Sequence, residues 1–569
     1  MIQTFDTAGD GFGSGHKELV LVGPPGTGKT RCMLDSFLVP ALQTRRSHEV
    51  LACSFTKAAA KELRQRVASH VDLGERDLRR VCSTIHSEAF HLGAQGCSIW
   101  RDSKKPGKRA TAATLLGDDE DQDLEITGGW AALQEPCGDL RKEMHRLWGL
   151  GRNLVVNVPE SPDEKTVRTC LFAALDRTET RHPVDALIAE TIDFEGQKRA
   201  LGQVDFTDML LRALRDGTTQ RRALLIVDEA QDLSPLQIAL VRLWATNADQ
   251  FVLAGDPDQG IFSFAGADGL YLTNLIRSGS TARSLQQSYR VPVAPHALAR
   301  RVITMNRDRI DSPYHPADRA GEVEVCRSVR EAMWLAARLA VNGSVFVLAR
   351  TCARLGEYAT LLTEDGVPFV NERGSSPWAQ KKLRTAMLAI IDLLEGQRAS
   401  KERLREFVDE LPGRPRSPLL AGKKKDAQAA VAALEDGSYV RPEEIGSLGL
   451  SYAALLDCEM LEGVLACIGK LPGVARPLMD MFDKFGLEAL LREPTITLTT
   501  YHASKGREAK TVVVDTAAPY PVRRLAKAGD HAAMEGERRA LYVAVTRAID
   551  TVIVSRAEND LFDLLGVSI

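Results

Sequence analysis

Several features are missing from this sequence, and each absence removes a class of protein. Ten cysteines are scattered over 569 residues, and no two form a C-x-x-C pair. That argues against a zinc ribbon and against the common iron–sulfur spacings. So thin a cysteine content over this length is no disulfide framework, and a reducing, cytoplasmic compartment is expected. No apolar run reaches the roughly 18 residues of a membrane span. The N-terminal stretch MIQTFDTAGDGFGSGHKE has neither the basic start nor the apolar segment of a signal peptide. Net charge is also nearly absent: 73 Lys+Arg against 76 Asp+Glu leave a formal charge of −3. Proteins that coat duplex nucleic acid non-specifically are usually basic. Any such contact here must come from a local groove or from stacking. There is no repeat of fixed period and no long low-complexity tract.

What is present is ordinary globular material, 44% hydrophobic and 26% charged, in a length suited to three or four domains. Short β-branched runs at residues 18–22 (ELVLV), 50–54 (VLACS), 223–227 (ALLIV) and 250–254 (QFVLA) each end in a loop and lead into helical pattern. A second set lies at 322–327, 344–349, 495–500, 511–515 and 551–555. Unbroken apolar runs of this kind are the buried strands of parallel sheets, and their alternation with helices predicts two α/β domains in tandem. Two mainly helical stretches, residues 91–199 and 375–490, interrupt them. The basic run RDSKKPGKR from Arg101, the acidic run DDEDQDLE from Asp118 and the basic turn at 413–425 read as solvated loops.

Gly23-Pro24-Pro25-Gly26-Thr27-Gly28-Lys29-Thr30 fits G-x-x-x-x-G-K-[ST], between a predicted strand and a predicted helix. Glycines let backbone N–H groups wrap phosphates, and the helix N-terminus adds a favourable dipole. Lys29 is expected on the β- and γ-phosphates of a nucleoside triphosphate, with Thr30 as a ligand of Mg²⁺. The other half of such a site follows the 223–227 run, in Asp228-Glu229-Ala230-Gln231-Asp232. Asp228 is placed to hold the Mg²⁺ through water, and Glu229 to orient and deprotonate an attacking water. An acidic helix cap is the bland alternative; the pairing with the glycine loop disfavours it.

With Asp-Glu-Ala-Gln-Asp in place the sequence resembles the UvrD/Rep/PcrA-like group of superfamily 1 DNA helicases. The likeness rests on an ordered series: Cys53–Leu63 (CSFTKAAAKEL), Ser83–Ser87 (STIHS), Gly255–Asp268 (GDPDQGIFSFAGAD), Leu285–Arg290 (LQQSYR), Thr500–Glu508 (TYHASKGRE) and Glu537–Ala548 (ERRALYVAVTRA). It implies two RecA-like motor domains, at 1–90 with 200–282 and at 283–374 with 491–569, each interrupted by its helical insertion. It further implies that Gln259 senses the γ-phosphate and that Arg290 and Arg547 reach the phosphates from the second domain. Tyr289 would stack on adenine, Glu508 would contact the ribose, and Gly506 would be a further nucleotide-binding position. Phe55, Thr56, His86, Phe262, Phe264 and His502 would line a single-strand path, where aromatic rings stack bases without sequence preference. Each Phe taken alone would be a core residue.

This chain departs from the family at Phe264 (usually Trp), at Ile85 (usually Phe), and at Tyr501 and Arg507 (usually apolar). The family's upstream adenine-reading segment is not recognisable, with Gln3 as the candidate for its glutamine, and no nuclease domain is expected after Arg547. The implied activity is ATP- and Mg²⁺-dependent 3′→5′ movement on single-stranded DNA with unwinding at duplex junctions. A translocase that strips bound proteins, a nucleotide-gated DNA-binding scaffold and an RNA helicase are the alternatives. The pathway stays open between repair, replication restart, recombination and phage replication, and protein partners are not indicated.

Overall fold

The computed structural model describes residues 17–54, 56–93, 98–100, 137–371, 376–413, 417–457, 472–486 and 491–569, with the backbone of Gln3–Thr4. The basic and acidic runs at 101–109 and 118–125, together with Phe55, lie outside the described residues.

Two parallel sheets form the frame. The first contains β1 (Gln3–Thr4), β2 (Glu18–Val22), β3 (Val50–Ser54), β4 (Cys82–Thr84), β5 (Arg222–Val227), β6 (Ala248–Gly255) and β7 (Ala282–Ser284). They lie in the order β1-β7-β2-β6-β5-β3-β4, and all pairings are parallel. The second contains β8 (Glu322–Cys326), β9 (Val345–Ala349), β10 (Phe369–Asn371), β11 (Ile496–Thr500), β12 (Ala509–Asp515) and β13 (Ala548–Ser555). Their order is β8-β13-β12-β9-β11-β10, again parallel throughout. The tandem RecA-like architecture expected from the sequence is what the chain adopts.

Each central strand is buried on both faces, which is why it reads as a continuous apolar run. Val20, Val22, Leu51, Cys53, Leu225, Val227, Phe251 and Leu253 enter one hydrophobic cluster. Their alternating neighbours Leu19, Leu21, Val50, Ala52, Leu224, Ile226, Val252 and Ala254 enter another on the opposite face. The second sheet repeats this, with Val512, Val514, Val552 and Val554 on one side and Val513, Ile553, Ile496 and Leu498 on the other. The strands absent from the sequence reading, β1, β4, β7 and β10, have only two or three residues. That is too short for a hydrophobic run to stand out from its flanks.

The helices Leu140–Leu154, Val184–Ala200 and Phe206–Arg215 meet at a buried charge network. Lys198 Nζ lies 2.8 Å from Glu195, 2.7 Å from Asp205 and 2.6 Å from Asp208. Arg152 meets Asp205 and Asp208 at 2.7 Å each, and Trp148 Nε1 donates to Glu195 at 2.6 Å. The Asp205 side chain also caps the helix it precedes. Burial would raise the Asp205 carboxyl, but Arg152 and Lys198 outweigh it and hold the group well below the usual carboxylate range. The helices of residues 381–485 enclose a separate core that includes Met387, Ile390, Phe407 and Leu478.

Lys198→Ala would leave three carboxylates facing one guanidinium. Breaking a buried ionic arrangement by removing one partner costs about 3–5 kcal/mol. The variant is expected to show a lower denaturant midpoint than wild type, measured by helix signal; an unchanged midpoint would show that the network carries no stability.

Candidate functional site

In a parallel sheet the loops that follow the strands leave from one edge, and ligands bind beyond the carboxyl ends. Here those loops carry the polar residues singled out above. Residues 23–30 follow β2, Asp228 and Glu229 follow β5, and 256–259 follow β6. The loop is tied to its neighbour by Gly23 N–H donating to Gly255 O at 3.0 Å, and Asp228 N–H donates to Cys53 O at 2.8 Å. Lys29 Nζ folds back to donate to Gly23 O at 3.0 Å and lies 4.0 Å from Glu229. Thr27 Oγ1 donates to Pro24 O at 2.8 Å, closing the turn. Among the described residues Glu229 is the one non-glycine with a positive φ, 55°, a conformation that L residues adopt at a cost.

The second domain closes over this edge. Ser288 Oγ and Tyr314 OH both donate to Pro25 O, at 3.0 and 2.9 Å, and Tyr289 N–H donates to Gly26 O at 2.8 Å. Gly26 has φ +75°, and a Cβ there would lie 2.6 Å from Arg290 Cβ. Arg547, only 1% exposed, donates through Nη2 to Gln259 Oε1 at 3.1 Å. Arg290 Nη1 donates to Glu508 at 3.1 Å, while its buried Nε has no hydrogen-bond partner among the described residues. The Tyr289 ring is 73% exposed, an open face beside the loop.

Lys505 binds Asp232, donates to Gln259 O at 2.7 Å and lies 3.6 Å from Glu229. It was not singled out from the sequence, nor were Ser288, Tyr314 and Gln231, although all but Tyr314 lie inside the quoted segments. Composition ranks none of these polar residues above its neighbours; the partners of Lys505, Ser288 and Tyr314 across the cleft are distant in the chain, as is the Asp256 N–H that Gln231 accepts from.

The electrostatics follow from this crowding. Burial and the adjacent Glu229 push the Asp228 carboxyl up. Burial acts on Glu229 too, but Lys29 and Lys505 outweigh it and hold that carboxylate ionised. Burial and the charge of Arg290 press Arg547 toward lower proton affinity. An anion in the cleft would offset the cost of these two guanidinium charges. Thr30 and Asp228 offer the oxygen donors that a hard divalent cation takes.

A second group lies beyond Gln259. Phe264 is half-buried, its ring 5.0 Å from His502 edge-on and 6.0 Å from Phe262. Phe262 is buried, with Lys505 Nζ 5.3 Å over its ring. Burial, then Arg350 and Lys505, keep His502 neutral. His86 meets Phe206 edge-on at 6.3 Å, and burial draws it down to about 4. Thr56 accepts from Ala59 N–H at 3.1 Å and so caps the helix Lys57–Ala68.

A phosphate loop at the edge of one parallel sheet, covered by a second such domain, defines a tandem RecA-like P-loop protein. Residues 12–278 match the UvrD/REP helicase N-terminal domain. The chain is 26% identical over 559 aligned residues to the ATP-dependent DNA helicase UvrD2 of Mycobacterium tuberculosis, covering 92% of this chain and 74% of that one. It is 22% identical to DNA helicase II of Rickettsia typhi, covering 95% and 90%. It is 24% identical to the putative ATP-dependent DNA helicase YjcD of Bacillus subtilis, covering 64% and 57%. Residues 12–278 are thus similar to the UvrD/REP helicase N-terminal domain, and most of the chain's length is similar to bacterial proteins named as DNA helicases.

Gly26→Ala forces an L residue into a left-handed conformation, at about 1–2 kcal/mol, and against Arg290. The loop relieves this strain by leaving the cradle. Affinity for a nucleoside triphosphate is expected to fall about tenfold, read by fluorescent-nucleotide titration. Unchanged affinity would place the phosphates elsewhere.

Proposed function

We propose that this protein is an ATP-dependent DNA helicase that moves 3′→5′ on single-stranded DNA and separates duplex at junctions. The observation that supports it most is the contact of Arg547, on the second domain, with Gln259, on the first, beside Lys29 and Glu229. A hydrolytic site assembled from both domains ties nucleotide state to domain position, which is what a motor requires. The names of the relatives, ATP-dependent DNA helicase and DNA helicase II, favour ATP as fuel and DNA as track. The direction is carried by the resemblance of the ordered motifs.

In this reading residues 1–90 with 200–282 and 283–374 with 491–569 are the motor domains, with insertions at 91–199 and 375–490. The triphosphate lies along 23–30, with Lys29 on its outer phosphates and Tyr289 under the base. Arg290 and Arg547 neutralise charge that develops on the transferred phosphoryl group, a role that suits the buried Nε of Arg290, which has no hydrogen-bond partner among the described residues. Mg²⁺ would be held by Thr30 and Asp228, a carboxyl that burial leaves short of compensating charge. Glu229, kept ionised by Lys29 and Lys505, is the base for the attacking water. Phe264 and His502 form a stacking step on the strand path. The seven cysteines described are free thiols, in keeping with a cytoplasmic setting. Among the described residues no helix is long and apolar enough to cross a membrane.

Duplexes with a 3′ single-stranded tail are expected to be unwound and those with a 5′ tail left intact in a strand-displacement assay; the reverse preference would overturn the direction. Glu229→Gln is expected to bind ATP while losing DNA-stimulated hydrolysis, and wild-type turnover in this variant would remove Glu229 from the chemistry. Phe264→Ala is expected to keep basal hydrolysis and lose its stimulation by DNA, and Phe264→Trp to work. If the ring serves packing alone, the truncation costs about 3–5 kcal/mol, and a lowered melting temperature accompanies loss of basal turnover.

A further inference from the structure

Gln231 is fully buried and sits in the tight turn Ala230–Asp232 after β5. Its side-chain amide is used at both ends. The NH₂ group donates to Glu229 Oε2 at 2.5 Å and, more weakly, to Asp232 Oδ2 at 3.4 Å, and the carbonyl accepts from Asp256 N–H at 3.0 Å. The orientation follows from the partners, because a carboxylate can only accept and a backbone N–H can only donate. The fit is close: a Cβ on Gly255 would fall 2.3 Å from Gln231 Oε1. Gly255 is the last residue of β6, so the strand reaches the site only because it has no side chain there.

The line of hydrogen bonds continues. The Asp256 carboxylate accepts from Gln259 Nε2 at 2.7 Å, and Gln259 Oε1 accepts from Arg547 at 3.1 Å. The donors all point one way, from Arg547 through Gln259, Asp256 and Gln231 to Glu229. Neither glutamine in the line is satisfied by a reversed amide, and at Asp256 the line passes from the side-chain carboxylate to the backbone N–H of the same residue, so position is carried along it by the fixed backbone.

We propose that Gln231 is a positioning residue for hydrolysis: it holds the Glu229 carboxylate in the pose imposed by its left-handed backbone, and it joins that carboxylate to the arginine of the second domain. Gln231 touches neither phosphate nor water in this role and acts through Glu229. The assignment rests on the helicase reading above and adds to it the means by which domain closure reaches the general base.

The test uses the full chain with ATP and single-stranded DNA. Gln231→Met keeps the volume and removes all three side-chain hydrogen bonds. The turnover number is expected to fall roughly 100-fold, as for a displaced catalytic group, with KM for ATP within about twofold of wild type. In a Glu229→Gln background the same substitution is expected to lower turnover no further, since its effect passes through the residue already removed. Gln231→Glu keeps the acceptor for Asp256 N–H but loses the donor to Glu229. It is expected to lose turnover equally, and it decides the matter if Gln231→Met melts early. Wild-type turnover in either well-folded variant, or a full multiplied loss in the Glu229→Gln background, would overturn the role. A wild-type chain without DNA-stimulated hydrolysis would sink the helicase reading and this inference together, whereas a hydrolysing wild type with an unaffected Gln231→Met sinks the inference alone.

Discussion

The contact between Arg547 and Gln259 joins the two domains at the point where phosphate chemistry would occur. Arg547 lies in the turn just past the helix His531–Val545 and is placed by it, its Nε donating to Val543 O at 2.9 Å, so the guanidinium is aimed rather than free to sample. Gln259 is placed by the turn after β6. Immediately beyond it, Ile261, Phe262 and Ala267 leave the first sheet and pack into the second domain's hydrophobic cluster with Leu298, Tyr501 and Leu541. A short segment thus has a polar end in contact with Arg547 and an apolar end in the other domain. Moving one domain against the other cannot leave Gln259 undisturbed, because packed interiors shift between discrete arrangements rather than deforming smoothly.

Charge is divided across the cleft. Asp228, Glu229, Asp232, Asp256 and Asp258 belong to loops of the first sheet. Lys505, Arg290, Arg547 and Arg309 face them from the second domain, with Arg309 Nη2 meeting Asp258 at 2.8 Å. Lys29 is the cation that the first domain supplies itself. Placing opposite charges on separate bodies gives attraction between them, and burial makes each unpaired group costly. The arrangement suits a cleft whose preferred closure depends on which anion occupies it. It also explains why the net charge of the chain says little about its ligands: the relevant charges are few, local and mutually compensating.

The departures from the family pattern acquire reasons in three dimensions. Tyr501 stands at an apolar position and is fully buried, but its hydroxyl donates to Asp515 O, so the added polar atom is not left unpaired. Arg507 lays its guanidinium 4.8 Å over the Phe346 ring, covering apolar surface as its replaced counterpart would. Ile85 lies in the first domain's core, where an aliphatic side chain serves. Thr56, expected on the strand path, also caps a helix, a local role that a Thr before a helix suggests without any knowledge of the fold.

What the amino-acid order alone determined is everything governed by local pattern. Central strands buried on both faces must be continuous apolar runs, so both parallel sheets could be read directly. A phosphate loop needs its glycines, lysine and threonine contiguous, so Gly23–Thr30 was legible, and Asp228-Glu229 was legible as an acid pair at a strand end. Strands of two or three residues were not, because their pairing depends on neighbours far away in the chain. Only the tertiary structure decided which polar side chains share the cleft. Lys505 lies 273 residues from Asp232, and Tyr314 lies 289 residues from Pro25, distances over which no periodicity or spacing carries information. Gln231 is a mixed case: Glu229 and Asp232 are near neighbours, but the Asp256 N–H it accepts from is 25 residues away and is brought to it by the fold. A hydrogen bond acts over about 3 Å of space, and the fold alone determines which parts of the chain come within it.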